Sequence, residues 1–197
     1  LGELAADIES KVLPNIEKPM NVTVTLAGDY EDQQESFQDM GLLLLIIVIL
    51  VYVVMASQFE SYAKPFIIMM AVPFAFSGVI WALFVTNTSL DMIGALGCIM
   101  LVGIVVKNGI VLVDYINLMR ERGLELNEAI AVSGQSRLRP VLMTAATTIL
   151  GMLPMALSKS DGSEMWVPMG IVVIGGLLVS TIVTLVVVPV LYGIMSK

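Results

Sequence analysis

The sequence has 197 residues, of which 57% are hydrophobic, and it combines a mean hydropathy of +0.92 with a formal net charge of −7. A soluble domain is usually about 45–50% apolar, so this composition excludes an ordinary soluble protein and indicates an integral membrane protein. The lack of histidine excludes a Cys/His metal site and a histidine general base, and the single cysteine, Cys98, excludes an intramolecular disulfide. We expect no cofactor.

Residues 1–39 are polar and predict a soluble segment. Apolar residues recur at near-helical spacing over residues 1–13, and apolar and polar residues alternate over residues 21–27, as in a half-buried strand. One helix and one strand cannot build a core of their own, so we interpret the segment as the tail of a larger α/β domain. No signal peptide is visible in it, and Leu1 in place of an initiator Met predicts a fragment or a processed product.

Five apolar stretches follow. A membrane-spanning helix needs about 17–25 residues, and only the first stretch must borrow flanking residues such as Phe37 to reach that length. The predicted fold class is therefore mostly α, a polytopic membrane bundle of five spans with a short α/β remnant at its N-terminus. The spans are predicted at about 37–57, 65–86, 92–118, 140–158 and 167–195.

Basic residues are unequally distributed between the two sides of these spans, and cytoplasmic loops carry an excess of Lys and Arg. The Arg-rich side should be cytoplasmic, which places the N-terminal segment in the periplasm and the C-terminus in the cytoplasm. Outside the N-terminal segment, the opposite side carries only Lys159. The Arg-rich side carries Lys64, Arg120, Arg122, Arg137, Arg139 and Lys197.

The segment between the third and fourth spans predicts an amphipathic helix at about 124–136. Leu124, Leu126, Ile130 and Val132 lie there among charged residues. We expect this helix to lie along the cytoplasmic membrane surface. The alternative is a simple connector that satisfies the positive-inside bias.

Lys107 lies near the middle of the third span. A charge there costs about 2.5–3.5 kcal/mol on insertion scales, so the ammonium should face other helices and pair with an acid. Asp114 lies two turns away on about the same face, about 10 Å along the axis, and either joins this site or is simply solvated. Asn108 either joins the site or packs between helices. No other acid lies deep in a span, so either Lys107 is neutral or its partner lies on helices outside this sequence.

The start of the fourth span supplies a second candidate group. Arg137 and Thr144 are seven residues apart and share a helix face. The alternatives are that Arg137, like Arg139, is a membrane-interface anchor, and that the threonine hydroxyl bonds to a backbone carbonyl within its own helix.

Four ordered motifs resemble one transporter family. MASQFESYAKPFIIMMAVPFAFSG is followed by GIVVKNGIVLVDY, RLRPVLMTAATTILGMLP and VVVPVLYGIM. Together they resemble the resistance-nodulation-division efflux pumps, and most of all the hydrophobe/amphiphile branch. The resemblance extends through essentially the whole sequence and implies the C-terminal part of a protein about five times longer, with the last five of twelve spans.

The resemblance also implies a mechanism and partners. Such pumps are proton-driven homotrimers of the bacterial inner membrane that work with a periplasmic adaptor and an outer-membrane channel. Lys107, Arg137 and Thr144 match the lysine, arginine and threonine of the proton relay, whose two aspartates lie in the missing N-terminal half. The fragment alone is then expected to be inactive, and its partners are membrane lipids and that missing half, with no nucleic acid.

Two other classes of function compete with a transporter. An intramembrane protease needs paired aspartates, a serine with a base, or a zinc motif, and none of these occurs within the predicted spans. The protein is therefore not expected to be an enzyme. A membrane scaffold or assembly module, with Lys107 paired only structurally, is the alternative to a transporter. The transported substrate does not follow from this sequence.

Overall fold

The computed structural model describes Lys11 and residues 29–160, 162–163 and 165–195. From residue 29 onward these ranges consist of α-helices joined by short turns, and no strand occurs in them. The strand predicted at 21–27, the helix predicted over 1–13 (except Lys11) and the α/β remnant that they form lie outside the described residues. The chain divides into two compact units, Leu1–Leu43 and Leu44–Lys197. The bundle of packed helices belongs to the second unit.

The five long apolar helices that the sequence predicts are present in the structure. Five regions are long and apolar enough to cross a membrane, and the second consists of two helices in succession. The first begins at Ser36 and ends at Phe59, slightly beyond the predicted 37–57. The helices are α1 (Asp29–Phe59), α2 (Ala63–Met69), α3 (Ala71–Thr86), α4 (Met92–Glu121), α5 (Leu126–Ala156) and α6 (Val167–Met195).

The second span is interrupted at Met70, between α2 and α3. Pro73 has no backbone N–H, so it cannot donate to the carbonyl of Met69 four residues earlier. The N–H of Met70 still donates to the carbonyl of Phe66 at 3.1 Å, so the helical hydrogen bonding of α2 extends as far as Met70. The break therefore follows from a proline placed within a continuous apolar run.

The helix predicted at 124–136 begins at Leu126 and does not end before the membrane. It runs through Pro140 into the fourth apolar stretch and forms the single helix α5. Leu126, Ile130 and Val132 pack against the core, which agrees with an amphipathic N-terminal part. Residues 119–139, which join the third and fourth predicted spans, are thus almost entirely helical. The position of the predicted amphipathic helix along the membrane surface stays a prediction.

Helix α6 packs against α2, α3, α4 and α5, so the core of the bundle forms around it. Small residues allow the closest approach: a Cβ added at Gly78 would lie 2.6 Å from the carbonyl oxygen of Gly175, and one added at Gly175 would overlap the Cβ of Ala82. Helices in membranes associate largely through such close packing, because lipid supplies little hydrophobic drive between them. The largest side chains that are completely enclosed include Met55, Leu101, Leu177 and Tyr192.

Candidate functional site

Lys107 lies near the middle of α4. The helix is capped by Asp91, the residue before its first turn, whose carboxylate accepts a hydrogen bond from the N–H of Gly94 at 2.7 Å. Gly103 and Lys107 are exposed, whereas Val105 and Val106 are buried against the rest of the bundle. The ammonium therefore lies on the outer surface of this bundle, and it makes no salt bridge or hydrogen bond within the part of the chain that the structure describes.

Asn108 and Asp114 lie on different sides of α4. Asp114 is exposed like Lys107, in keeping with their separation of nearly two full turns. Asn108 is buried, with 7% of its surface exposed. The structure thus places Lys107 and Asp114 on one outward face, about 10 Å apart along the helix, and turns Asn108 towards the interior of the bundle.

Arg137 of α5 lies against α4. Its guanidinium carbon is 4.4 Å from the centroid of the Tyr115 ring, a distance that permits a cation–π interaction. Its Nε is buried and has no hydrogen-bond partner among the described residues. Because Tyr115 follows Asp114 directly, Arg137 of α5 lies close to the part of α4 that carries Asp114.

Thr144 does not share the half-buried environment of Arg137. It is exposed, and its hydroxyl donates to the carbonyl of Val141 at 2.9 Å. The carbonyl of Thr144 in turn accepts from the hydroxyl of Thr148 at 2.9 Å. The hydroxyl is therefore held within its own helix, as the alternative interpretation expects, while the side chain remains open on the outer surface.

The structure brings together two residues that the sequence analysis did not single out. The hydroxyl of Tyr192, whose side chain is completely buried, donates to Oδ1 of Asn117 at 2.7 Å. This bond joins the C-terminal parts of α4 and α6. Helical periodicity could not predict this bond or the contact of Tyr115 with Arg137, because each joins residues on different helices.

Five helices long enough to span a membrane, with an exposed ammonium halfway along one of them, define a multi-pass membrane protein. The profile of the AcrB/AcrD/AcrF family matches residues 1–196. The chain belongs to this family, the resistance-nodulation-division transporters, and is therefore not an enzyme.

Curated relatives share about a third of their aligned residues with this chain. The swarming motility protein SwrC of Bacillus subtilis is 36% identical over 195 residues, which are 98% of this chain and 18% of the relative. The cobalt-zinc-cadmium resistance protein CzcA of Cupriavidus metallidurans is 34% identical over 197 residues, 100% of this chain and 18% of the relative. The multidrug resistance protein MdtC of Erwinia amylovora is 35% identical over 198 residues, 100% of this chain and 19% of the relative.

The solved structures agree on the fold. A crystal structure of a heavy metal efflux pump matches with a TM-score of 0.83 and 33% identity, and the match covers 100% of this chain and 19% of that one. The chain thus spans about a fifth of the length of its relatives. Because a metal-resistance relative and a multidrug-resistance relative are equally similar, overall identity does not distinguish the two branches.

Proposed function

We propose that this chain is the C-terminal membrane portion of a proton-driven efflux transporter, and that it contributes Lys107, Arg137 and Thr144 to the proton relay. Membership of the AcrB/AcrD/AcrF family supports the transporter class. The length of the relatives, about five times that of this chain, supports a larger protein in which these helices meet others.

The exposed position of Lys107 carries the proposal. An ammonium at the level of the membrane centre costs about 2.5–3.5 kcal/mol on insertion scales if lipid surrounds it. The outward face of α4 that carries Lys107 and Asp114 is therefore a poor surface for lipid and a good one for further helices. We infer that those helices supply the carboxylates with which Lys107 pairs.

The relay then operates by exchange of partners. While the carboxylates are ionised they hold Lys107, and their protonation releases it to move towards another polar group. Thr144, exposed on the neighbouring helix, is one such group, and Asp114 offers a second acceptor nearer the cytoplasmic end. Arg137 supplies positive charge beside α4, and the buried Asn108 lies on the side of α4 that faces the interior of the bundle. The movement changes the packing of helices and drives the conformational cycle of the pump.

The remaining assignments follow the resemblance in sequence. We assign the transporter to the hydrophobe/amphiphile branch on the four motifs. The motifs do not define the substrate themselves, and it is this branch that implies drugs and other apolar compounds. It is a homotrimer of the bacterial inner membrane, joined by a periplasmic adaptor and an outer-membrane channel. The excess of Lys and Arg orients the N-terminal segment to the periplasm and the C-terminus to the cytoplasm.

The decisive experiment compares drug export by the intact transporter, by its Lys107→Ala variant and by this chain alone, at matched levels in the membrane. We expect the intact protein to export and the other two to be inactive. Lys159→Ala is the matched control, because Lys159 is an exposed lysine in the turn region between α5 and α6 and not within a helix. This control variant should export normally, and Lys107→Ala should still assemble as a trimer.

Each other result has a defined meaning. Export by Lys107→Ala would show that the lysine has only a structural role, as in a scaffold. Export by the chain alone would show that no further carboxylates are needed. A substrate panel of apolar drugs and divalent metal ions tests the branch, and export of metal ions alone would refute the hydrophobe/amphiphile assignment.

A further inference from the structure

A polar pocket of about 300 Å³ lies at the C-terminal end of α4, several turns away from Lys107. Lys64 of α2 lines one side of it, and Asn117, Arg120 and Glu121 of α4 line the other. The pocket lies on the Arg-rich side of the bundle, where α2 begins and α4 ends. No part of the proposed relay uses these residues.

The side-chain NH₂ of Asn117, a residue that lines this pocket, makes no hydrogen bond with the described residues. Its Oδ1 accepts the hydroxyl of Tyr192 at 2.7 Å, and that tyrosine is completely buried. The side-chain amide has one carbonyl acceptor and one NH₂ donor, so a bond to Oδ1 leaves the NH₂ available. Tyr192 thereby fixes the amide with its N–H groups free for a ligand.

Lys64 and Arg120, the two basic residues of the pocket, are not needed to cap the C-terminus of α4. A basic residue in the last turn often compensates the exposed carbonyls of a helix C-terminus. In α4 the backbone already does so: the N–H groups of Arg122, Gly123 and Leu124 donate to carbonyls of Leu118, Arg120 and Met119 at 3.0–3.3 Å. Gly123 permits this closure because its φ is +93°.

The charges of the pocket favour an anion. Lys64 is half-buried and Arg120 is exposed, and neither forms a salt bridge with a described residue. Glu121 opposes them with a single negative charge, so the pocket has a net positive charge. Two cations and an amide NH₂ around one small space match an anion with several oxygen atoms, and a phosphate group provides these.

The location of the pocket favours a membrane lipid as the source of that phosphate. The pocket lies at the ends of two membrane spans, the level at which lipid phosphates are concentrated, and basic pockets between helices on the cytoplasmic side bind anionic headgroups. We propose that Lys64, Asn117 and Arg120 form a binding site for the phosphate of an anionic membrane phospholipid. The lipid would brace α2 against the end of α4.

The test measures lipid retained by the intact transporter that contains this chain. The protein is placed in phosphatidylcholine nanodiscs with and without phosphatidylglycerol, and native mass spectrometry records the lipid that remains bound. We expect phosphatidylglycerol to be retained in preference to phosphatidylcholine. Lys64→Gln and Arg120→Gln should each reduce retention about fivefold, the factor expected for one basic residue near a membrane surface. Glu121→Gln should increase it.

Two further variants make the test specific. Arg122→Gln is the matched control, because Arg122 is an exposed base two residues from Arg120 that does not line the pocket. It should retain lipid as the wild type does. Tyr192→Phe frees the Asn117 amide and should reduce retention, and thermal unfolding of each variant verifies that it is folded.

Three results would overturn the proposal. Equal loss in Arg122→Gln and Arg120→Gln would indicate general attraction to a basic surface. Equal retention of the two lipids would exclude an anionic site. Displacement of phosphatidylglycerol by inorganic phosphate would identify the ligand as a free anion. Retention is measured without transport, so failure here is distinguishable from failure of the proposed relay.

Discussion

The guanidinium carbon of Arg137 lies 4.4 Å from the centroid of the Tyr115 ring, and this contact joins α5 to α4 one residue from Asp114. A cation over an aromatic face gains about 0.5–1 kcal/mol at exposed sites and about 2 kcal/mol when desolvated. The Nε of Arg137 is buried with no hydrogen-bond partner in the described ranges, so the ring is the main described group that stabilises this cation. The contact fixes the arginine relative to the helix that carries Lys107.

Replacement of Tyr115 by Leu should therefore impair the proposed relay. Loss of the ring removes about 0.5–2 kcal/mol of stabilisation from Arg137 and frees its side chain. We expect the intact transporter with Tyr115→Leu to export several-fold more slowly, while Tyr115→Phe, which keeps the ring, exports at nearly the normal rate. Export rates at matched expression test this. Equal loss in both variants would assign the effect to the phenol hydroxyl instead.

Two threonines on α5 provide a matched pair for the relay. Thr144 and Thr147 are both exposed, and their hydroxyls donate to backbone carbonyls of Val141 and Met143 at 2.9 and 2.8 Å. Valine removes either hydroxyl at nearly constant volume. We expect Thr144→Val to lose most proton-coupled export and Thr147→Val to retain it. Proton flux and drug export by reconstituted transporters measure both, and equal activity of the two variants would remove Thr144 from the relay.

Hydropathy and spacing suffice to predict the five long apolar regions among the residues that the structure describes. Each apolar stretch, the first one together with its flanking residues, is long enough to cross a membrane, and the backbone must then satisfy its own hydrogen bonds, so a helix is the natural result. The same information predicts that Lys107 and Asp114 share a face, because seven residues are nearly two turns.

Contacts between helices could not be predicted in the same way. The position of Arg137 against Tyr115 depends on how α4 and α5 pack, and no periodicity within one helix contains that information. The sequence also did not predict that α5 continues through Pro140. A proline at the start of an apolar stretch ordinarily indicates the first turn of a new helix. Pro140 is tolerated within α5 because membrane helices accommodate proline more readily than soluble ones.

The contact between α3 and α6 predicts a sharp difference between two glycine substitutions. A methyl group at Gly175 would overlap the Cβ of Ala82, whereas one at Gly151 would meet no atom within 4 Å. Gly175→Ala should lower the free energy of unfolding by about 1–3 kcal/mol through overpacking. Gly151→Ala should leave it unchanged or raise it by up to about 1 kcal/mol, because alanine favours the helix. Thermal unfolding in detergent compares them, and equal destabilisation would contradict close packing of α3 on α6.

The hydrogen bond from Tyr192 to Asn117 should contribute measurably to stability, because it joins α4 and α6 across 75 positions of sequence. Side-chain hydrogen bonds between membrane helices contribute about 0.6 kcal/mol on average and up to about 1.7 kcal/mol. We expect Tyr192→Phe to lower the free energy of unfolding by an amount in this range. A double-mutant cycle with Asn117→Ala isolates the interaction, since the second substitution should cost less once the first is present. Additive effects would show that the two residues stabilise the protein independently, and the orientation of Asn117 would then have to arise from other contacts.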